Sequence, residues 1–332
     1  MSLSIANDHG SLPVGYQLYL PQDWASDRGR RKRAGVPTEI EFRTKGDMAL
    51  KQIHQALNAG LPRGVISADA AYGIEAAWRD QLSTWGLQYA VAVREHTRVW
   101  YGKHRPAPIP PASPRGGRPR TRLVIDETHE PVTVIDLARS LPARHWRQVT
   151  WRAGTNAPLR SRLSALRVRA ANLQRARPEE WLLIEWPLSE DKPVHYWLCT
   201  LPANTPMKAL VATAMGRWRI ERDDQELKSE LGLHHYEGRN WRGFHHHASL
   251  CIAAYGFLMR ERLRSKKNSA QLKAPAVPKN FRPRGARSNA AARSQLDRHD
   301  GLQSRSSNRK RTAHVSLLRN KQQSAGTPLL TQ

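Results

Sequence analysis

The residues best placed to do chemistry lie in Arg217-Trp-Arg-Ile-Glu-Arg-Asp-Asp-Gln-Glu-Leu-Lys228. The surrounding segment, Met207 to Glu230, has no Pro and a single Gly, and reads as one helix. Residues three, four and seven apart share a helix face, so Arg217, Glu221, Asp224 and Lys228 align on one side. Ile220, Leu227 and Leu231 form a neighbouring stripe suited to a core. A carboxylate one turn from an Arg and two turns from a Lys can hold a hard divalent cation beside phosphate oxygens. An exposed helix with intrahelical ion pairs would carry the same residues. What distinguishes the two readings is a second carboxylate at the end of a buried strand, and Asp69 supplies it.

Asp69 follows Val65-Ile-Ser-Ala68, a short run apolar enough to be buried on both faces. Ligands of open α/β sheets bind beyond the carboxyl ends of such strands. The competing role for Asp69 is a helix N-cap. Ile74 to Trp85 reads as a helix with Ile74, Ala77, Trp78, Leu82 and Trp85 on one side, and Gln88 to Val93 as a strand. Strand, helix and strand in this order predict a right-handed crossover and a parallel pair.

The elements around these residues follow in chain order. Ser2 to Ala6 reads as the end of a strand, Asn7-Asp-His-Gly10 as a turn, and Leu12 to Leu20 as a second strand. Pro21 to Pro37, with its basic run Arg28 to Arg33, reads as a solvated loop, and Lys45 to Asn58 as a helix. His96 to Arg122 is rich in Pro, Gly and Arg and reads as a linker or extended loop. Strand candidates then fall at Leu123–Asp126, Arg147–Trp151, Trp181–Trp186 and His195–Leu201, with a basic segment, Leu159 to Arg175, between them. Leu233 to His247 reads as a loop and Ala248 to Leu263 as an apolar helix. The run His245-His-His247 is a poor metal motif, because consecutive helical residues do not converge on one ion.

Composition narrows the partner. The chain has 332 residues and a formal net charge of +26, which points to a polyanion, DNA or RNA before an anionic membrane. Eleven Trp suit stacking on bases as well as packing. The two cysteines, Cys199 and Cys251, support neither a disulfide framework nor a Cys-rich zinc site, so a reducing cytosol is expected. No apolar run is long enough to span a bilayer. From Arg264 onward there are 16 Lys/Arg against two Asp, and apolar patterning fades, so the tail reads as disordered and basic.

The motifs together resemble the DDE transposases of bacterial insertion sequences, in the branch marked by Tyr-x2-Arg-x3-Glu-x6-Lys. Arg217, Glu221 and Lys228 match that spacing, while Ala214 stands at the Tyr position. Leu18 to Trp24, Phe42 to Lys45, Ala68-Asp-Ala-Ala-Tyr-Gly73 and Glu230 to His247 also read like this family, and the resemblance runs from about residue 2 to 263. It implies an α/β fold, an RNase H-like mixed sheet with flanking helices, interrupted by a β-rich insertion. Residues 1–95 would be a partial RNase H-like core. Residues 96–203 would be the Pro/Arg-rich loop and insertion, 204–263 the C-terminal helices carrying the Glu motif, and 264–332 the tail.

By the same resemblance, Asp69 and Glu221 would be catalytic and would hold Mg²⁺ or Mn²⁺. Arg217, Trp218, Lys228, Arg239 and Arg242 would bind DNA, both insertion-sequence ends and target, with Trp218 either stacking on an unpaired or flipped base or packing in the core. A cytoplasmic, nucleoid-associated bacterial protein with no membrane contact is implied, and a homodimer is left open. The family's first catalytic Asp precedes the strand ending at Ala6, and Asp8 follows the wrong strand to replace it. The expectation is therefore a truncated transposase inactive alone, with an unpaired edge in its core sheet. The rival is a non-catalytic nucleic-acid-binding protein built on the same scaffold; a structure-specific nuclease would need the same carboxylates.

Overall fold

The computed structural model describes residues 1–102, 105–106, 116, 123, 129–152, 158–172, 176–271 and 314–318. Residues 1–257 and 313–332 group into one unit, and residues 258–312 into a second, of which the described part is the end of one helix.

The first unit is built on one mixed sheet. Strands β1 (Ser2–Ala6) and β2 (Ser11–Tyr16) form the expected hairpin around the Asn7–Gly10 turn, closed by Asn7 N donating to Gly10 O at 2.9 Å. Two short helices follow, α1 (Gln22–Ser26) and α2 (Arg28–Ala34), where a loop was expected. The basic run is helical because Asp27 caps it, accepting from Arg30 N. Arg31 then ties it down, donating to Pro37 O at 2.9 Å and Ile40 O at 2.7 Å. Helix α3 (Lys45–Asn58) is capped by Thr44 and buries Met48, Ala49 and Ile53.

Strand β3 (Val65–Ala68) is fully buried, as its apolar run predicts. The expected single helix after it is two, α4 (Ala70–Gly73) and α5 (Ala76–Thr84). Trp78 and Leu82 are buried on α5, while Ile74 between the helices is exposed. Strand β4 (Tyr89–Val93) pairs parallel to β3, the crossover unit anticipated.

Strands β5 (Arg98–Tyr101) and β6 (Val132–Thr133) and helix α6 (Val134–Ser140) come next, followed by β7 (Arg147–Arg152), β8 (Leu159–Ala170), β9 (Glu180–Trp186) and β10 (His195–Cys199). The Leu123–Asp126 candidate lies largely outside the described residues. The basic segment 159–175 is largely strand: β8 buries Leu163, Leu166, Val168 and Ala170, leaves Arg160 exposed and holds Arg162, Arg167 and Arg169 half-buried. β10 pairs antiparallel with β4, so these strands extend the core sheet.

Helices α7 (Met207–Met215) and α8 (Trp218–Ser229) replace the single helix expected over Met207–Glu230. The break falls at Gly216-Arg217. α7 buries Leu210, Val211 and Ala214, while α8 buries only Ile220 and Leu227. Gly216 at the junction has low helix propensity, and the two helices are separated there by a single turn at Gly216-Arg217. Helix α9 spans Trp241–Gln271.

Strand β11 (His314–Leu318), within the tail, completes the sheet. The order is β2-β1-β11-β3-β4-β10-β9-β8-β5-β6, with β7 paired to β8. The position between β1 and β3 is therefore filled, where an unpaired edge was expected. β11 runs parallel to β1 and antiparallel to β3. The arrangement is an RNase H-like α/β core, a mixed sheet with flanking helices. No helix among the described residues is long and apolar enough to cross a membrane.

Candidate active site and nucleic-acid interface

Asp69 sits where β3 ends and α4 begins, and it takes the helix-cap role weighed for it. Its Oδ1 caps α4, accepting from Ala71 N at 2.9 Å, while its Oδ2 faces Arg217 Nη1 at 4.0 Å. The loop carrying it is fixed from two sides. Gly73 lies against β4 so closely that a Cβ there would come 1.9 Å from Ala92 O, so only glycine fits. Arg79 of α5, itself buried, donates to Gly73 O. Tyr72 packs beneath, and burial, with the nearby Asp69 charge, pushes its hydroxyl well above the usual tyrosine range, so it stays neutral.

Behind α5 lies a second polar layer. Arg177 is buried and bonds Asp80, and Glu180 accepts from Tyr89 Oη at 2.8 Å. Burial raises the Glu180 pKa, opposed by the Arg79 and Arg177 charges. These contacts tie α5 to the strand region after it and hold the frame on which Asp69 is mounted.

The other half of the site comes from the α7–α8 junction. Arg217 Nη2 donates to Glu221 Oε1 at 2.7 Å, the (i, i+4) pair expected on the α8 face. The same guanidinium thus faces Asp69 with one arm and Glu221 with the other. Two carboxylates far apart in sequence meet on one cation. Arg217 Nη1 is buried and has no hydrogen-bond acceptor among the described residues. Asp69 is 30% exposed and Glu221 60%, so both carboxylates remain open to solvent.

The remaining predicted residues spread out from this centre. Lys228 pairs with Asp224, one turn before it on the same helix. Trp218 is half-buried against guanidinium groups: Arg152 stacks over its ring at 4.0 Å and Arg219 at 5.3 Å. Arg239 lines a pocket against α1 and α2, and Arg242 is exposed in the first turn of α9. His245 and His247 bond backbone carbonyls of Trp241 and Gly232, each at 2.9 Å, and no group of three metal-ligating side chains occurs among the described residues.

Asp8 is excluded from the centre by register. Ala6 aligns with Leu318, and Leu318 with Val65, so the β1–β2 turn lies at the β3 end opposite Asp69. There Asp8, Arg152 and Trp218 line one cleft. Sequence reasoning missed Arg152, Arg79 and Arg177. Arg152 ends a strand and the other two are buried, and nothing in their local spacing marks them.

Residues 1–158 match the family model of the DDE superfamily endonuclease. The matched stretch includes Asp69 and ends before Glu221. No curated protein matches the chain. Over residues 1–158 the chain is thus similar to DDE superfamily endonucleases, in agreement with the RNase H-like sheet.

The donor set can be tested against a divalent cation. Asp69 and Glu221 are hard oxygen ligands, partly exposed, and both face the Arg217 guanidinium. Mg²⁺ keeps several waters and needs few protein ligands, so the pair fits one ion. A two-ion site with carboxylates clamping both metals is not provided by these two residues.

Proposed function

We propose that this chain is a DNA-binding protein of the insertion-sequence transposase type, with Asp69 and Glu221 as its metal-binding carboxylates. The observation that carries the reading is the meeting of both carboxylates on Arg217. Asp69 would hold Mg²⁺ or Mn²⁺ through Oδ2, leaving Oδ1 to cap α4, and Glu221 would reach the same ion from α8. A bound divalent cation neutralises phosphate charge and lowers the pKa of a bound water. Everything else is the work of the chain's own residues.

Arg217 has the means to change partners. An exposed Arg–carboxylate pair contributes only about 0.2–1 kcal/mol, so Arg217 can leave Glu221 for a phosphate at little cost. Its planar fork then binds phosphate in two-pronged fashion, next to the carboxylates. Lys228 and Arg242 extend the positive surface. Trp218, already stacked with Arg152, offers a guanidinium–indole surface to DNA. In transposition the complete site would cleave element ends and join them to target DNA. With two carboxylates, the chain by itself would bind DNA without cutting it.

A second reading has its own support. The carboxylates are engaged by a protein cation, and the described residues hold no three-ligand cluster. That arrangement also suits a non-catalytic DNA-binding protein derived from a transposase.

A nicking assay on supercoiled and element-end DNA, with Mg²⁺ or Mn²⁺, tests the reading against Glu221→Gln. The expected result is retained DNA binding and no cleavage above the variant. Metal-dependent cleavage lost in Glu221→Gln would show a complete catalytic site and overturn the inactivity. Cleavage unchanged in Glu221→Gln would remove Glu221 from the site.

A further inference from the structure

A pocket of about 760 Å³ lies between α1–α2 and the start of α9, separate from the residues around Asp69. That volume is in the range of sites that enclose a small ligand, roughly 300–1,000 Å³. Its walls are aromatic and cationic together. Trp24 and Tyr19 stand in one wall, and Tyr236, Trp241 and Phe244 in the other. Arg30, Arg33 and Arg239 line it, and none of its lining residues is an Asp or Glu. Arg30 has its guanidinium 5.6 Å from the Trp24 ring centroid and pairs with Asp27 outside the pocket. Arg239 has no ion-pair partner among the described residues and is exposed.

The pocket is preformed. Tyr236 is clamped between the backbones of Gly238 and Gly243, where a Cβ at either position would come 2.5 Å from its ring or hydroxyl. Its hydroxyl donates to Asn240 O at 2.9 Å, and Asn240 Oδ1 accepts from Gly243 N at 3.1 Å. Tyr236 and Phe244 pack edge-on at 5.9 Å. Opposite, Arg31 staples α2 to the following loop through Pro37 O and Ile40 O. Rings held this way lose little freedom when a ligand arrives.

We propose that this pocket takes one unstacked nucleotide of a single-stranded nucleic acid, its base on the aromatic rings and its phosphate on Arg239 and Arg33. The chemistry is selective among anions. A bare phosphate would use the arginines and leave five aromatic residues without purpose. An acidic peptide would likewise meet rings it has no means to use. A base has two π-faces for the rings, and its backbone carries the charge that the guanidiniums need. The proposal rests on the reading of the chain as a nucleic-acid-binding protein and adds a strand-state preference to it: this site favours single strands, whereas the Asp69–Arg217–Glu221 centre needs only phosphates.

The test uses the full chain and fluorescence anisotropy with three probes: a 12-mer of thymidylate, the same length of abasic backbone, and a 12-base-pair duplex. Trp24→Ala is expected to weaken the thymidylate probe about 5- to 100-fold, the range for losing one base–aromatic stack. Duplex binding should stay within about twofold. The abasic probe should bind the unaltered chain as weakly as thymidylate binds the variant. Arg239→Gln, at an exposed position, should weaken all single-stranded probes. Photocrosslinking of a 5-iodouracil oligonucleotide to the unaltered chain should map to the peptides carrying Trp24, Tyr236 or Trp241. Equal losses on duplex and single strand, no loss at all, displacement of thymidylate by an acidic peptide, or crosslinks elsewhere would each overturn the proposal. Duplex binding that persists while these fail leaves the proposed function standing; binding of no nucleic acid at all overturns both.

Discussion

Arg217 decides what the two carboxylates can be. Its guanidinium faces Asp69 at 4.0 Å and bonds Glu221 at 2.7 Å, so one cation touches both residues of the proposed site. The loop beneath is less tolerant. Gly73→Ala would drive a Cβ into the Ala92 carbonyl, which belongs to backbone and has nowhere to retreat. Overpacking of this kind costs typically 1–3 kcal/mol, and here the upper end or beyond is expected, about 3 kcal/mol, read as a lower urea midpoint. A Gly73→Ala chain as stable as the original would show that the α4–β4 approach is looser than described. The motif Arg-x3-Glu was legible because helix spacing alone places Arg217 one turn from Glu221. The link from Arg217 to Asp69 was not, since it depends on a long-range contact that no local pattern encodes.

Among the elements, β3, β4, α3 and the β1–β2 hairpin were legible from apolar runs and turn residues. Three others were not, each for a physical reason. β8 carries Arg160 and Arg162 on one face and Arg167 and Arg169 on the other, so charge hid a strand that buries Leu163 on one side and Leu166, Val168 and Ala170 on the other. α2 is a helix of basic residues made possible by the Asp27 cap and the Arg31 staple, where composition alone suggests a solvated loop. β11 is a short alternating run, His314-Val-Ser-Leu-Leu318, inside a tail that composition marks as unstructured. It finds a place because β1 and β3 otherwise leave two rows of backbone groups unpaired in mid-sheet. That pairing predicts that Ser316→Pro, which deletes a donor from a strand bonded on both sides, destabilises the chain by about 1–3 kcal/mol in urea unfolding. An unchanged midpoint would mean that β11 contributes nothing to the sheet.

At the scale of the whole molecule, the charge of +26 over 332 residues was readable at once, and it carries the expectation of a polyanion partner. Phosphate contacts release counterions, so duplex affinity should fall steeply with salt, with a log–log slope near −0.9 per phosphate neutralised. Anisotropy titrations between low and moderate salt would read it, and Arg217→Gln should make the slope shallower by about one contact. An unchanged slope would place Arg217 outside the DNA interface. Insertion strands continuing the core sheet, rather than forming a body of their own, explain how Arg152 comes to stack on Trp218 of α8. That stack joins β7 to α8 at the end of β3 opposite Asp69.

The proposed function places one divalent cation on Asp69 and Glu221, both of which face the Arg217 guanidinium. Manganese titration followed by the electron paramagnetic resonance of the free ion tests it without relying on activity. The account predicts one Mn²⁺ site on the full chain, lost in both Asp69→Asn and Glu221→Gln, and tightened in Arg217→Gln, where the competing cation is gone. Mn²⁺ binding that survives both carboxylate substitutions, or that Arg217→Gln weakens, would contradict it.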